Sequence, residues 1–348
     1  MDKPKTALVC GAGGFIGHHL VNYLKDKGYW VRGVDIKLPD FCDTNADQFY
    51  VKDLRNFKSG ARTSCVLGQG LGDGFDEVYQ LAADMGGMGF IHSAECDIVR
   101  NNTLINLNMI RAVTDPLCLA KRYLFSSSAC VYRDQVLGDS RLAEEDAYPA
   151  FPDNEYGWEK LYAERVAMTH GRHNDLEVRI ARFQNCYGPY GTWKGGREKA
   201  PAALCRKIAD ATPVGPGLHC GIEIWGDGTA ERNFIYVDDL CEGIYTLMQS
   251  DMREPVNIGT DEITSVNDFV NIIAQVAGKT IFTHTVEGPV GVLGRYETFD
   301  KIKSLGWKPK YSLKEGIEKL YPWIEQEMKN PSDVALKKTR PMEKSCCD

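Results

Sequence analysis

The most constraining stretch of the 348-residue chain is Thr6-Ala7-Leu8-Val9-Cys10, followed without a break by Gly11-Ala12-Gly13-Gly14-Phe15-Ile16-Gly17. An apolar β-type run that meets so many glycines must end in a turn too tight for side chains. Beyond the turn, Phe15, Leu20, Val21 and Leu24 recur at helical spacing until Gly28 supplies a stop. A strand, glycine turn and helix in that order bring backbone N–H groups and the positive end of a helix dipole to one point. That point suits a pyrophosphate. A second strand, Trp30 to Asp35, ends in an acid 18 residues after Gly17. A carboxylate there accepts hydrogen bonds from the ribose hydroxyls of an adenosine and repels a 2′-phosphate, so the cofactor read from these residues is NAD rather than NADP.

Four more strand-like runs follow. Phe49-Tyr50-Val51 is read as the third strand, with Asp53-Leu54 at its end suited to an adenine amino group. Glu77 to Leu81 forms a fourth, running into Ala82-Ala83-Asp84-Met85-Gly86-Gly87-Met88-Gly89-Phe90, where small residues let a nicotinamide and a substrate lie against backbone. Between Asn101 and about Ala112, Leu104, Leu107 and Ile110 mark a helix. Tyr123 to Tyr132 opens as a fifth buried strand and breaks into Ser126-Ser127-Ser128-Ala129-Cys130, placing a hydroxyl and a thiol two residues apart at a strand end. In open α/β sheets that end faces the ligand. Tyr156 and Lys160, at i and i+4 of a helix running to about His170, project from one face and can reach one ligand. Val178 to Phe183 is the sixth strand.

The fold class expected is α/β: a Rossmann-type doubly wound parallel sheet with a smaller, discontinuous α/β substrate-binding domain. The first domain takes residues 1–184 plus about 234–262, the second about 185–233 plus 263–328. Residues 329–348, with two prolines, many charges and no periodicity, are read as a disordered tail. In the second domain Gly191 to Pro201 packs Lys194, Arg197 and Lys199 around glycines and a tryptophan, an anion-facing loop of the kind a nucleotide diphosphate needs. The glycine-rich 59–74 segment is read as a flexible surface loop.

The net charge of −7, without a basic cluster, argues against nucleic acid or an anionic membrane as partner. No apolar run approaches the ~20 residues of a membrane helix, and the N-terminus leads directly into a strand, so a cytosolic protein is expected. Twelve scattered cysteines without a C-x-x-C are expected to be mostly reduced core residues, and Asn101-Asn102-Thr103 is not expected to be glycosylated. The histidines lack ligand spacing, and no metal is called.

The glycine turn, the Leu81-Ala82-Ala83 strand end, Ser128 and Tyr156-x-x-x-Lys160 together resemble the extended short-chain dehydrogenase/reductase family over residues 5 to about 328. Within it, the runs 82–90, 127–132 and 191–203 resemble the GDP-mannose 3,5-epimerases. That resemblance implies conversion of GDP-D-mannose to GDP-L-galactose, with some GDP-L-gulose, on bound NAD that is restored each turnover. It implies oxidation and re-reduction at carbon 4 by Tyr156, Lys160 and Ser128, with Cys130 and Lys199 as the acid–base pair at carbons 3 and 5. The cofactor set it implies is Gly11, Gly14, Phe15, Ile16, Gly17, Asp35, Asp53, Leu54, Leu81, Ala82, Ala83 and Asn102 with Tyr156 and Lys160. Substrate contacts fall on Gly86, Gly87, Met88, Gly89, Ser128, Ala129 and Cys130. On the second domain they fall on Asn185, Glu198, Lys199, Ala200, Lys207, Arg232 and Arg295. A homodimer joined by helices of the NAD-binding domain is also implied. Leu293, where an arginine is expected, and Ala230-Glu231 before Arg232 depart from the pattern. The alternatives are a nucleotide-sugar 4-epimerase, which has no use for Cys130, and a catalytically silent NAD-binding sensor, which has no use for the Tyr/Lys pair.

Overall fold

The computed structural model describes residues 3–56, 67, 74–116, 118–212 and 220–332. Apart from residues 67 and 74, the segment read as a flexible glycine-rich loop lies outside the described residues, as does the tail from residue 333. The chain begins with β1 (Thr6–Cys10), α1 (Phe15–Asp26), β2 (Trp30–Asp35), β3 (Gln48–Val51) and β4 (Phe75–Gln80). It continues with α2 (Met88–Ser93), α3 (Glu95–Val113), β5 (Ala120–Ser128), α4 (Glu155–His173) and β6 (Glu177–Phe183). There it leaves the sheet to form β7 (Asn185–Tyr187), α5 (Ala200–Asp210), β8 (Cys220–Trp225), β9 (Glu231–Tyr236) and α6 (Val237–Gln249), and returns with β10 (Pro255–Ile258). Last come β11 (Ile263–Ser265), α7 (Val266–Ala277), β12 (Ile281–Val286), α8 (Asp300–Ser304) and α9 (Leu313–Lys329).

Seven strands form one parallel sheet in the order β10-β6-β5-β4-β1-β2-β3. Every residue of β1 is buried, as a strand covered by helices on both faces requires. The order reverses between β1 and β4, so the turns that leave these two strands diverge and open a crevice at their carboxyl ends. The glycine turn leaves one strand and Leu81 to Gly89 leaves the other. A second, three-stranded sheet (β11-β9-β7) and the parallel pair β12-β8 make the smaller lobe, backed by α5, α7 and α9.

One buried polar network holds the sheet to its helices. Arg182 on β6 forms a two-pronged ion pair with Glu164 on α4, at 2.9 and 2.8 Å, with both side chains about 1% exposed. The same guanidinium donates to the Glu144 carbonyl (2.7 Å) and the Tyr132 hydroxyl (3.1 Å), and Tyr132 donates to Asn257 on β10 (2.6 Å). Charges this deep are tolerated because each is paired and its remaining donors are used.

On α3 the structure differs from the apolar stripe read from sequence. Ile98, Ile105, Met109 and Ile110 face inward with Asn101, Asn102 and Asn106, whereas Leu104 and Leu107 are exposed. The inward face carries these amides because they satisfy buried and half-buried polar groups: Asn102 the Asp84 backbone, Asn101 the Asp84 carboxylate, and Asn106 the Gln80 and Glu159 side chains. Of the nine cysteines among the described residues, Cys10, Cys118, Cys186, Cys205, Cys220 and Cys241 are buried.

Candidate active site

The crevice is shaped by glycines that leave no room for a side chain. A Cβ on Gly11 (φ +83°) would stand 2.8 Å from the Ala82 nitrogen, and one on Gly17 would stand 2.0 Å from the Gly11 oxygen. Gly14 begins α1 without a side-chain cap, which leaves the first-turn N–H groups of Phe15 and Ile16 open. The Gly13 N–H donates to Asp35 at 3.0 Å. Burial pushes the Asp35 carboxyl up, against the N–H groups of Gly13, Ile36 and Lys37. A cradle that any Cβ would fill, next to a carboxylate at the end of β2, fits a dinucleotide with free ribose hydroxyls.

Other residues expected at the cofactor are differently engaged. Asp53 is held by Arg55 (2.8 Å) and Asn56 (3.1 Å), and the Arg55 guanidinium lowers its pKa. Leu54 is buried, and its carbonyl takes the Asn108 amide. Leu81 donates its N–H to Cys10, and the Ala82 carbonyl takes the Gln80 amide. Asn102 is fully buried, with its side chain accepting the Asp84 N–H at 2.6 Å. It braces the strand exit from behind.

At the end of β5, Ser128 caps a short helical turn, Ala129–Val131, by accepting the Cys130 N–H at 3.2 Å. The alternation of a strand therefore stops at Ser128, and the cap joins hydroxyl and thiol. Tyr156, in the first turn of α4, is buried among Ile91, Ile98, Met85, Met88 and Cys130, with Ser128 as a hydrogen-bonding neighbour of its hydroxyl. Lys160 donates to the Ser126 carbonyl at 2.9 Å and lies 5.7 Å from the centre of the Tyr156 ring.

Burial, reinforced by Cys130 and Glu159, pushes the Tyr156 phenol well above its ordinary value, while burial lowers Lys160 against the pull of Glu159 and Glu164. The ammonium is committed to a carbonyl and to the ring rather than to the hydroxyl. Half-ionising a tyrosine at pH 7 from its ordinary value already takes about 4 kcal/mol, so this phenol needs a further positive charge in the cleft.

Two residues that sequence reading passed over set this geometry. Asn154 caps α4 by accepting the Gly157 N–H at 2.9 Å. A Cβ on Gly157 would meet the Cys130 carbonyl oxygen at 2.0 Å. Only glycine lets the helix that carries Tyr156 lie against the turn that carries Cys130. The signal for the cap was an asparagine two residues before the tyrosine; the close approach leaves no mark in sequence.

The second lobe supplies the cations. Burial and the nearby Arg295 lower Arg232 to about 10. Arg232 also donates to the carbonyls of Val290, Val292 and Leu293, the last at 3.2 Å. Both departures from the family pattern meet here, because the Glu231 N–H bonds the Leu293 carbonyl at 2.9 Å. Arg295, 5% exposed, spans the Ala129 and Arg133 carbonyls (3.3 Å each) and Asp153 (3.5 Å), so it supports the cysteine turn from within.

Lys199 is the residue before α5; its Cα would stand 3.6 Å from a Cβ on Gly87, and its charge is felt by the buried Cys186 thiol. Ala200 follows it as the first residue of the helix. Glu198 is taken up by the Gly196 N–H (2.6 Å) and Arg206 (3.2 Å), and Lys207 by the Glu223 carbonyl (2.7 Å). Asn185 opens β7 opposite Phe234, half-buried. Gly86 packs on Phe90, Met88 packs with the Tyr156 cluster, and Gly89 has only Trp225 near the place of its missing side chain.

A glycine-cradled crevice beside a Ser, Tyr and Lys cluster defines a dinucleotide-dependent enzyme of Rossmann architecture. The chain belongs to the NAD dependent epimerase/dehydratase family, whose model matches residues 7–259. It is 41% identical over 338 residues to the GDP-mannose 3,5-epimerase of Arabidopsis thaliana, covering 94% of this chain and 85% of that protein. It is 41% identical over 325 residues to GDP-mannose 3,5-epimerase 1 of Oryza sativa subsp. japonica, covering 92% and 82%. Among solved structures it is similar to MoeE5 in complex with UDP-glucuronic acid and NAD, at a TM-score of 0.76 and 26% identity, covering 92% of this chain and 99% of that one. The UDP-glucose 4-epimerase of Thermotoga maritima shares the fold at a TM-score of 0.78 and 23% identity, covering 93% and 99%.

Proposed function

We propose that the chain is a GDP-mannose 3,5-epimerase, converting GDP-D-mannose to GDP-L-galactose and, in part, to GDP-L-gulose. The observation that carries this reading is the Cys130 thiol, joined to Ser128 by the cap and to the Tyr156 helix by the Gly157 contact. Oxidation at carbon 4 needs only the Ser, Tyr and Lys cluster. A second acid–base group beside it has work only where carbon–hydrogen bonds are exchanged.

NAD, when bound along the Gly11 to Gly17 turn and Asp35, supplies the hydride acceptor and donor for carbon 4. Tyr156 takes the proton of the carbon-4 hydroxyl, and Ser128 holds that oxygen. The resulting 4-ketone acidifies the hydrogens on carbons 3 and 5, because either carbanion is an enolate. Inversion then requires a proton to leave one face and another to arrive at the opposite face, so two groups must flank the ring. Cys130 is assigned as one of these two groups. Lys199 is assigned as its counterpart on the Gly87 side.

The test is incubation with GDP-mannose in heavy water. Deuterium is expected at carbons 3 and 5, and inversion at carbon 4 without exchange at either would refute the reading in favour of a 4-epimerase. Cys130→Ala is expected to abolish the exchange while leaving transient reduction of bound NAD, and Tyr156→Phe to abolish both. The division into a cofactor domain (1–184 with about 234–262) and a nucleotide-sugar domain belongs to the same proposal, as do a cytosolic location and a homodimer. Exposed Leu104 and Leu107 on α3, with Trp158 and Tyr162 on the adjoining α4, support a second copy as their cover. Among the described residues no helix is long and apolar enough to cross a membrane.

A further inference from the structure

Arg197, read from sequence as one of three cations of an anion-facing loop, is instead engaged within the chain, and its contacts converge on one place. Its Nη1 pairs with Asp84 at 2.8 Å, its guanidinium lies 3.8 Å from the centre of the Phe90 ring, and its carbonyl accepts the Gly87 N–H at 3.1 Å. Asp84 is itself fixed from the opposite side. Its second carboxylate oxygen takes the Asn101 amide at 2.8 Å, and its N–H bonds Asn102 at 2.6 Å, both on α3. The loop two residues before Lys199 is thereby fastened to the wall of the cofactor crevice. Gly87 completes the join, since a Cβ there would stand 2.4 Å from the Glu198 oxygen.

The ion pair is partly exposed, 48% at Arg197 and 21% at Asp84. Pairs of that kind add little to folding stability, so what this one fixes is the position of the loop rather than the survival of the fold. We propose that Arg197 is a positioning residue that latches the Lys199 loop to Asp84 and Phe90 and so sets the place from which Lys199 exchanges protons with the sugar. The proposal rests on the acid–base role given to Lys199.

The test uses the full chain with bound NAD and compares Arg197→Gln, Arg197→Lys and Lys199→Met. Two readouts are followed: deuterium entry at carbons 3 and 5 from heavy water, and transient reduction of NAD by its absorbance. A displacement of about 1 Å can cost about 100-fold in rate, so Arg197→Gln is expected to slow exchange by about 10- to 100-fold with NAD reduction unchanged. Arg197→Lys, which keeps a cation opposite Asp84, is expected to restore most of it. Exchange and reduction falling in parallel would mark general damage and overturn the proposal. So would normal exchange in Arg197→Gln alongside lost exchange in Lys199→Met. Normal exchange in Lys199→Met would overturn the acid–base reading itself, and the latch with it.

Discussion

Replacing Gly157 by alanine tests whether the approach of α4 to the cysteine turn is what assembles the site. On helix propensity alone the substitution should help, since glycine in a helix costs about 0.8–1 kcal/mol relative to alanine. The geometry says the reverse. The new Cβ would lie 2.0 Å from the Cys130 carbonyl oxygen, where real Cβ atoms essentially never come closer than 3.0 Å, so turn and helix must separate by about 1 Å. Overpacking of this kind costs about 1–3 kcal/mol, which outweighs the propensity gain or cancels it. The cost to function is larger, because Tyr156 and Cys130 sit on the two sides of the contact and about 1 Å of misplacement is worth about 100-fold. Gly157→Ala should therefore turn over GDP-mannose about 100-fold more slowly than the parent while remaining folded. Steady-state kinetics with urea denaturation on the same preparation makes the comparison. A variant that is more stable and turns over normally would show that the contact relaxes at no cost.

Acid should weaken the fold through His18. This imidazole is 4% exposed, and burial lowers its pKa from 6.5 to about 4. Between those values the unfolded chain takes a proton that the native chain refuses, so stability falls as pH drops below about 6.5. The loss at pH 5 relative to pH 7 is on the order of 1–2 kcal/mol. His18→Gln should flatten that slope in urea titrations at the two pH values; an unchanged slope would mean that another group carries it. Glu164→Gln should cost about 3–5 kcal/mol by leaving Arg182 charged and uncompensated in the core. A loss below 1 kcal/mol in the same denaturation assay would mean that solvent reaches the pair.

The sheet was legible because its signals are local. Thr6 to Cys10 and Trp30 to Asp35 announce themselves by apolar runs ending at glycine or acid, Val178 to Phe183 by its β-rich run, and Tyr156 and Lys160 by helical spacing. What stayed hidden depends on partners distant in sequence. Leu104 and Leu107 fit a helical stripe, but the inward face of α3 is set by amides that serve Asp84, Gln80 and Glu159. Arg295 reads as a late cation free for a ligand. A guanidinium has five donors, however, and any cluster of carbonyls within reach can claim them, as those of Ala129 and Arg133 do here. Arg197 and Lys199 look alike in the 191–201 loop; only the fold gives Arg197 to Asp84.

The place of β10 has a consequence for synthesis. Its partner β6 is complete at Phe183, but the strand that covers its outer edge begins at Pro255, about 70 residues later. At a synthesis rate of about 5–20 residues per second, that edge waits roughly 4–14 s on the ribosome while the smaller lobe emerges. Throughout the wait the chain already holds Ser128, Cys130, Tyr156 and Lys160, but not the Asn257 that receives the Tyr132 hydroxyl. Arg179 and Arg182 lie on the waiting strand, and arginines are the kind of residue that discourages pairing with a passing chain. Arg182, which locks the finished sheet through Glu164, is thus present as a charge on that strand before its neighbour arrives.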